Sequence, residues 1–231
     1  MNLIFDIGYN HGEFTQECFK KYPLCRVIGV EANEDLFYGS KKDKRLYMVH
    51  AAASDKDDSY VDFFVEPHQD GISTVSEDFM NNSRFCKGSK YLNPKSANWS
   101  RPVKTKTVTL SRLIKDHGTP DLIKVDVEGY EYEVLLGLTK KAHKICFECH
   151  EEEKKKLTRI VKHLYNIGYN EFGFIGYFEE GDVFEKITFS EHGDPYLVEP
   201  TEYFSWQELK KELDKCFIED RRINYGMVWC R

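Results

Sequence analysis

The sequence predicts an α/β fold in one domain, residues 1–231, with a mostly parallel, twisted sheet and helices on both faces. Three observations carry that prediction. Short apolar runs of strand length recur along the chain: "NLIFDIG", "RVIGVEA", "RLYMVHAAAS", "DLIKVDVEG" and "KICFECH". Helix-like stretches separate the first three, giving the β-α-β-α-β order of a parallel sheet. No repeat, linker or low-complexity tract divides the 231 residues, which are enough for one large domain with a substantial core.

Taken in order, residues 2–7 read as a buried strand that ends in glycine. Residues 12–22 read as a helix with Phe14, Cys18 and Phe19 on one side, stopped by Pro23. Residues 26–32 form a second buried strand, and "NEDLFYGSKK" a helix with Asn33 as its N-cap. "RLYMVHAAAS" is the third strand and its exit. Residues 60–67 alternate partly and read as an accessory strand. Residues 77–101 are polar, rich in Asn, Ser and Lys, and contain Pro94, so they read as a long surface loop or lid. "VKTKTVTL" is a strand leading into "SRLIKDHG", a short helix closed by Gly118. A strand from Asp121, a helix over 130–138, the strand "KICFECH" and a helix over 151–168 follow. That helix turns Leu157, Ile160, Val161 and Leu164 inward, and its "EEEKKK" start reads as a solvated face. In the last third, 151–231, "YNEFGFIGYF" and "VFEKITF" are strand candidates, 205–215 a helix and "YGMVWCR" a final strand.

Composition narrows the function classes. The net charge is -6 and Lys and Arg are scattered, so nothing resembles a nucleic-acid footprint. Seven cysteines, an odd number at irregular spacing, argue for free thiols in a reducing compartment and a cytoplasmic location. Cys146 and Cys149 form a CxxC, but residues three apart on a strand point to opposite faces, which argues against a redox or metal pair. Two N-x-S sequons, at Asn81 and Asn98, matter only in a secreted protein, and "MNLIFDIG" lacks the basic region and apolar length of a signal peptide. No stretch is long enough to span a membrane.

The chemistry begins at "DIGYNHGEFT", 6–15. A strand that ends in glycine and turns into a helix lets the backbone approach a ligand and offers it free N–H groups. Gly8-x-x-x-Gly12 fails the dinucleotide pattern G-x-G-x-x-G. Asp6, two residues before the first glycine, suits a cationic group such as the amino group of a methionine moiety; its alternative is a turn acceptor. Glu31 ends the second strand, where an acid accepts from both ribose hydroxyls of an adenosine. The small residues of "HAAASD" leave room for an adenine ring. Three successive strand ends thus each offer a piece suited to S-adenosylmethionine (SAM), at the carboxyl edge where open α/β sheets bind ligands.

These residues carry a resemblance. "DIGYNHGEFT", "VIGVEANE", "AAASD" and "DLIKVDVEGYEYEVLLG" together resemble the FkbM family of SAM-dependent methyltransferases over roughly 2–150. "VTLSRL" resembles that family's V-x-T-L-D-x-L, with Ser111 where Asp is usual, and Tyr9 stands where the family usually has Ala. The resemblance implies a Rossmann-like class I methyltransferase fold with an antiparallel terminal strand, which "YGMVWCR" would supply. It implies O-methylation, with sugars and natural-product hydroxyls among the acceptors. By motif position, Asp6, Gly8, Asn10 and Gly12 would hold the methionine part of SAM, Glu31 the ribose, and Ala53 and Ser54 the adenine; a ring at Tyr9 would shape the cofactor entrance.

Two further strand ends open on the same edge. Asp126 and Glu128 lie in "KVDVEG", Glu148 and His150 in "CFECH". Residues two apart share a strand face, so Glu148 and His150 point the same way. His150 is the candidate base for a hydroxyl acceptor, with Asp126 or Glu148 orienting it, and Asp126 is also counted with the cofactor residues. The same set suits a divalent metal. Glu128 reads better as a cap of the helix beyond Gly129. "GISTVS", 71–76, lines the pocket or is an ordinary turn, and the aromatics of 172–178 read as core before acceptor platform. The expected partner is a small-molecule or glycan acceptor, with the oligomeric state left open. Two other readings stand beside the methyltransferase: a non-catalytic SAM- or nucleotide-binding module of the same fold, and an NAD-dependent oxidoreductase, which lacks its fingerprint.

Overall fold

The computed structural model describes residues 1–83, 85–86, 97–150, 154–178, 188–189, 197–216 and 223–231. The chain starts in the middle of the main sheet. β1 (Leu3–Ile7) passes through α1 (Glu13–Lys21) to β2 (Arg26–Glu31), then through α2 (Glu34–Gly39) to β3 (Leu46–His50), each strand parallel to the last. It then returns to the other side of β1. β7 (Leu122–Val125) pairs with β1, and β8 (Lys144–His150) with β7, both parallel. β1 and β7 therefore flank the point where the strand order reverses. In open α/β sheets the crevice for a ligand lies there, outside the carboxyl ends.

The remaining strands extend the β8 side. β11 (Ile223–Cys230) inserts between β8 and β9 (Phe172–Phe178), antiparallel to both. β10 (Thr188–Phe189) completes the order β10-β9-β11-β8-β7-β1-β2-β3 among the described residues. The reversed final strand is thus present. The strand expected at "VFEKITF" is described only at 188–189, and residues 151–153 at the expected start of "EEEKKK" lie outside the described residues.

Two helix-end signals and one buried helix face read from sequence hold. Asn33 caps α2, its side chain accepting from the Asp35 N–H. Gly118 closes α4 (Leu110–His117) with φ 97. α6 (Lys154–Asn166) buries Leu157, Ile160, Val161 and Leu164. α5 (Glu131–Leu136) and α7 (Trp206–Cys216) complete the larger helices.

Two expectations change. The exit of the third strand leaves the main sheet at Ala52. β4 (Ala52–Ala53) pairs instead with β6 (Val103–Val108), which pairs with β5 (Tyr60–Phe63), making a small second sheet. The polar stretch 77–101 does not begin as loop: α3 (Glu77–Asn82) occupies its start, capped by Ser76, whose hydroxyl oxygen accepts from the Phe79 N–H. Phe79 is the reason, because it is buried and anchors the helix. Residues 84 and 87–96 of that stretch lie outside the described residues.

Strand alternation splits the core into two layers. Phe147 and Cys149 face one layer with Val228 and Cys230, while Cys146 faces the other with Met227 and Trp229. Cys146 and Cys149 therefore lie on opposite faces. On the Cys146 face the strands change character toward their carboxyl ends. Ile4 and Leu122 belong to the apolar layer. One step on, Asp6 is paired in register with Lys124. Beyond them come Asp126, Glu148 and His150. The sheet thus turns from core to a polar ledge within two residues.

Candidate active site

The ledge opens on a cavity at the β1/β7 junction, whose walls include Gly8, Asn10, Glu31, Ala53, Asp126 and Tyr130. Its floor is the first turn. Gly8 has φ 77, and a Cβ there would overlap the Asp126 backbone oxygen, so only glycine lets β1 and β7 approach this closely. Asn10 also adopts a left-handed backbone, φ 50, which asparagine tolerates better than most residues. That conformation aims its N–H at Glu31 Oε2, 2.7 Å away. Asn33 N–H donates to the other oxygen at 2.8 Å. Glu31 is thereby fixed by two backbone donors at the cavity wall. Burial raises its carboxyl above the ordinary value, and those two N–H groups oppose the shift.

One side of the cavity is apolar. Ala51, Ala52, Ala53, Leu36, Val127 and Tyr130 line it, an environment that accepts a flat heteroaromatic ring. Ser54 does not line the cavity; it is buried behind, with its Oγ 3.4 Å from the Tyr130 hydroxyl. Opposite lie the charged groups. Asp126 lines the cavity with its side chain 27% exposed. Asp6 does not reach it. It is fully buried beneath the turn, where Oδ2 accepts from Thr15 Oγ1 at 2.6 Å and Oδ1 lies 3.1 Å from Lys124 Nζ. Burial raises the Asp6 carboxyl, with Lys124 the main opposing influence. Of the two acids, the one open to a ligand is Asp126.

Gly12 and Tyr9 are also structural. Gly12, φ 74, is the N-cap of α1, and the Tyr9 ring packs against it, leaving no space for a Cβ. The same ring sits on β2, where a Cβ at Gly29 would lie 2.9 Å from Tyr9 Cδ2. Tyr9 is buried and supports the turn, and it also lines a neighbouring cavity with Gly8, Asn10 and Asp126.

The second cluster lies at the end of β8. His150 Nε2 is 2.9 Å from Glu148 Oε2 and 3.9 Å from Glu128 Oε2. Glu148 and His150 are buried, and Glu128 lines the cavity. The third member is thus Glu128 and not Asp126. Two successive left-handed residues, Glu128 (φ 53) and Gly129 (φ 86), follow β7. This bend ends the strand's two-residue periodicity and places the Glu128 side chain beside His150. The N-cap of α5 is Tyr130, with no side-chain cap, and Glu131 Oε1 reaches back to accept from the Val127 N–H in the bend at 3.0 Å. The helix-cap reading of Glu128 is therefore replaced. Its signal was available, since an acid before glycine at a strand end marks a turn able to redirect a side chain.

A roof covers this bend. Thr74 Oγ1 donates to the Glu128 carbonyl at 2.7 Å, and Phe79 packs on Gly129, where a Cβ would lie 2.8 Å from its ring. Lys156 Nζ donates to the Gly129 carbonyl at 3.0 Å and pairs with Asp78 at 3.2 Å. Gly71, Ser73 and Val75 line the cavity, so "GISTVS" belongs to its wall. Phe79 stands edge-on to His150, with centroids 5.8 Å apart, and also meets Phe85 and Trp99. The aromatics of β9 take the other course: Phe172 and Phe174 are core. Glu128, Glu148 and His150 also bring three ligand-type atoms within 4.8 Å of one another, a set able to hold a metal ion.

The cavity fits SAM on its own features. Asn10 Oδ1 is buried at the wall with no hydrogen-bond partner, an acceptor awaiting a donor. Glu31 and Asp126 supply acidic groups, and Ala51, Ala52 and Ala53 an apolar slot of the kind that takes a flat ring. The sequence comparison agrees: residues 6–175 match the methyltransferase FkbM domain. No curated protein matches. Similar solved structures include the precorrin-6y C5,15-methyltransferase of Geobacter metallireducens GS-15, 12% identical with TM-score 0.43, covering 100% of this chain and 79% of that one. Another is the plantazolicin methyltransferase BpumL in complex with S-adenosylhomocysteine (SAH), 9% identical with TM-score 0.43 over 99% and 75%. A TehB-like SAM-dependent methyltransferase of Corynebacterium glutamicum ATCC 13032 Kitasato is 9% identical with TM-score 0.41 over 99% and 79%.

Proposed function

Because this chain belongs to the FkbM family of SAM-dependent methyltransferases, we propose that residues 1–231 form one domain that methylates a hydroxyl group of a sugar or glycan. The observation that carries this reading is the buried Glu148–His150 pair, 2.9 Å apart, joined through Glu128 to the cavity.

Each residue has a task in this reading. Glu31 accepts from the ribose hydroxyls, the alanine slot takes the adenine, and Asp126 and Asn10 face the amino-acid end. Bound there, SAM supplies a methyl group activated by its sulfonium. A sugar hydroxyl is a poor nucleophile, so the protein must orient it and take its proton. Glu128, at the cavity wall, receives the hydroxyl's hydrogen bond. His150 donates its Nε2–H to Glu148 Oε2, so the proton goes to Nδ1, and Glu148 stabilises the resulting imidazolium. Trp99, beside this cluster and partly exposed, offers a ring of the kind that packs against the C–H face of a sugar. Buried free thiols at Cys25 and Cys230 support a reducing, cytoplasmic setting. No described helix is long and apolar enough to cross a membrane.

The test is incubation with SAM and a panel of mono- and oligosaccharides, read by mass spectrometry for one added methyl group. Transfer to a sugar hydroxyl supports the reading; transfer only to nitrogen, carbon or sulfur acceptors contradicts it. The same assay in excess chelator separates base from metal. The base reading predicts unchanged turnover, and loss restored by a divalent ion would assign Glu128, Glu148 and His150 to a metal.

A further inference from the structure

Lys124 is a buried charge that the transfer as described does not use. It lies on β7 with 3% of its surface exposed. Its ammonium donates to the Gly8 carbonyl at 2.6 Å, and lies 3.1 Å from Asp6 Oδ1 and 3.6 Å from Asp126 Oδ2. It also stands 5.8 Å from the centre of the Phe14 ring. Removing an ammonium from water is costly, and an apolar side chain of similar length would fill the same space without that cost. Filling the core therefore does not account for a lysine here.

What distinguishes the position is the balance of charge. Asp6, Glu31 and Asp126 surround the turn, and Lys124 acts electrostatically on both Asp6 and Glu31. The ligand of this turn changes charge during the reaction: SAM carries a sulfonium cation and SAH a neutral thioether. An uncompensated ring of carboxylates would hold the cation tightly in the ground state. The positive charge spreads as the methyl group leaves, so that hold weakens toward the transition state and raises the barrier.

We propose that Lys124 is a positioning residue that anchors the Gly8 carbonyl and sets the relative affinity of the cofactor site for SAM and SAH. The proposal rests on the cofactor reading above. It separates two effects. Loosening the turn weakens both ligands alike, because they share every atom but the transferred methyl. Changing the charge moves one against the other.

Calorimetry with SAM and SAH tests this on wild type, Lys124→Met, Lys124→Arg and Asp6→Asn. For a charge in the partly screened interior, the ratio Kd(SAH)/Kd(SAM) should rise about tenfold in Lys124→Met. Lys124→Arg should keep the wild-type ratio even where both affinities fall. Asp6→Asn retains an oxygen for Thr15 and removes a negative charge, so its ratio should fall. Should Lys124→Met fail to fold, Asp6→Asn decides alone. A ratio unmoved in the folded charge variants, with both ligands still bound, overturns the role of Lys124. A wild type that binds neither ligand overturns the cofactor reading instead.

Discussion

The proposed cofactor half of the site and the proposed acceptor half are built in different ways. The cofactor half is made by the backbone. Gly8, Asn10 and Gly12 hold left-handed conformations, and Glu31 is gripped by the N–H groups of Asn10 and Asn33. Its parts come from consecutive strand ends of a sheet whose order reverses at that point. The acceptor half is made by side chains from distant segments: Glu128 after β7, His150 at the end of β8, Thr74 and Phe79 from the roof. A backbone-built site is fixed by the fold and binds what all its relatives bind. A side-chain-built site can be changed residue by residue without disturbing the sheet, which suits the part that selects the acceptor.

Four changes sharpen that comparison, taken from the largest effect down. Gly8→Ala should destroy the cofactor half. Its Cβ would overlap the Asp126 backbone oxygen, in a left-handed backbone that alanine resists, and overpacking with backbone strain costs on the order of several kcal/mol. Loss of SAH binding with a lowered Tm is expected. His150→Ala should instead spare the cofactor half: kcat falls by about 10²–10⁴, the usual worth of a positioned base, while SAH affinity stays within error. A parallel loss of SAH affinity would show that the two halves are not separable.

Glu31→Ala should weaken SAH by about 1–3 kcal/mol, since it removes a charged acceptor and leaves two N–H groups unpaired. Glu31 also gives a pH signature. Its folded pKa is raised, so its contribution to apo stability is present at low pH and is lost as pH rises through that raised value. SAH binding should run the other way, weakening as pH falls through the same range and the acceptor becomes protonated. Glu31→Gln should flatten both profiles, as titrations of Tm and Kd would show. The smallest change is Thr74→Val, which removes the hydroxyl donor to the Glu128 carbonyl. About 1 kcal/mol of support for the bend is lost, and a several-fold fall in kcat with unchanged SAH affinity is expected.

The same division explains what the sequence made legible. Buried strands announce themselves as apolar runs, and helix ends as Asn33 and Gly118, because local chemistry dictates them. Glu31 was legible for the same reason: a strand end places it. What sequence hides is direction. Asp6 and Asp126 lie on one sheet face, yet Asp6 is sealed under the turn by Thr15 and Lys124 while Asp126 is open. That depends on α1 covering one and not the other. Glu128 escaped because two left-handed residues cancel the alternation by which strand side chains are assigned. β4 escaped because a two-residue strand carries no periodicity. α3 carried a readable signal, Ser76 before Glu77 and Asp78, and was masked by the polar sequence around it.

The central claim is that the cavity at the β1/β7 junction is a SAM site. Calorimetric titration of the wild-type chain with SAH, with NAD as control, tests it most directly. Micromolar binding of SAH, with none of NAD, is the predicted result. Absence of SAH binding, or equal binding of NAD, would contradict the account and leave the opening glycine turn as a feature of the fold alone.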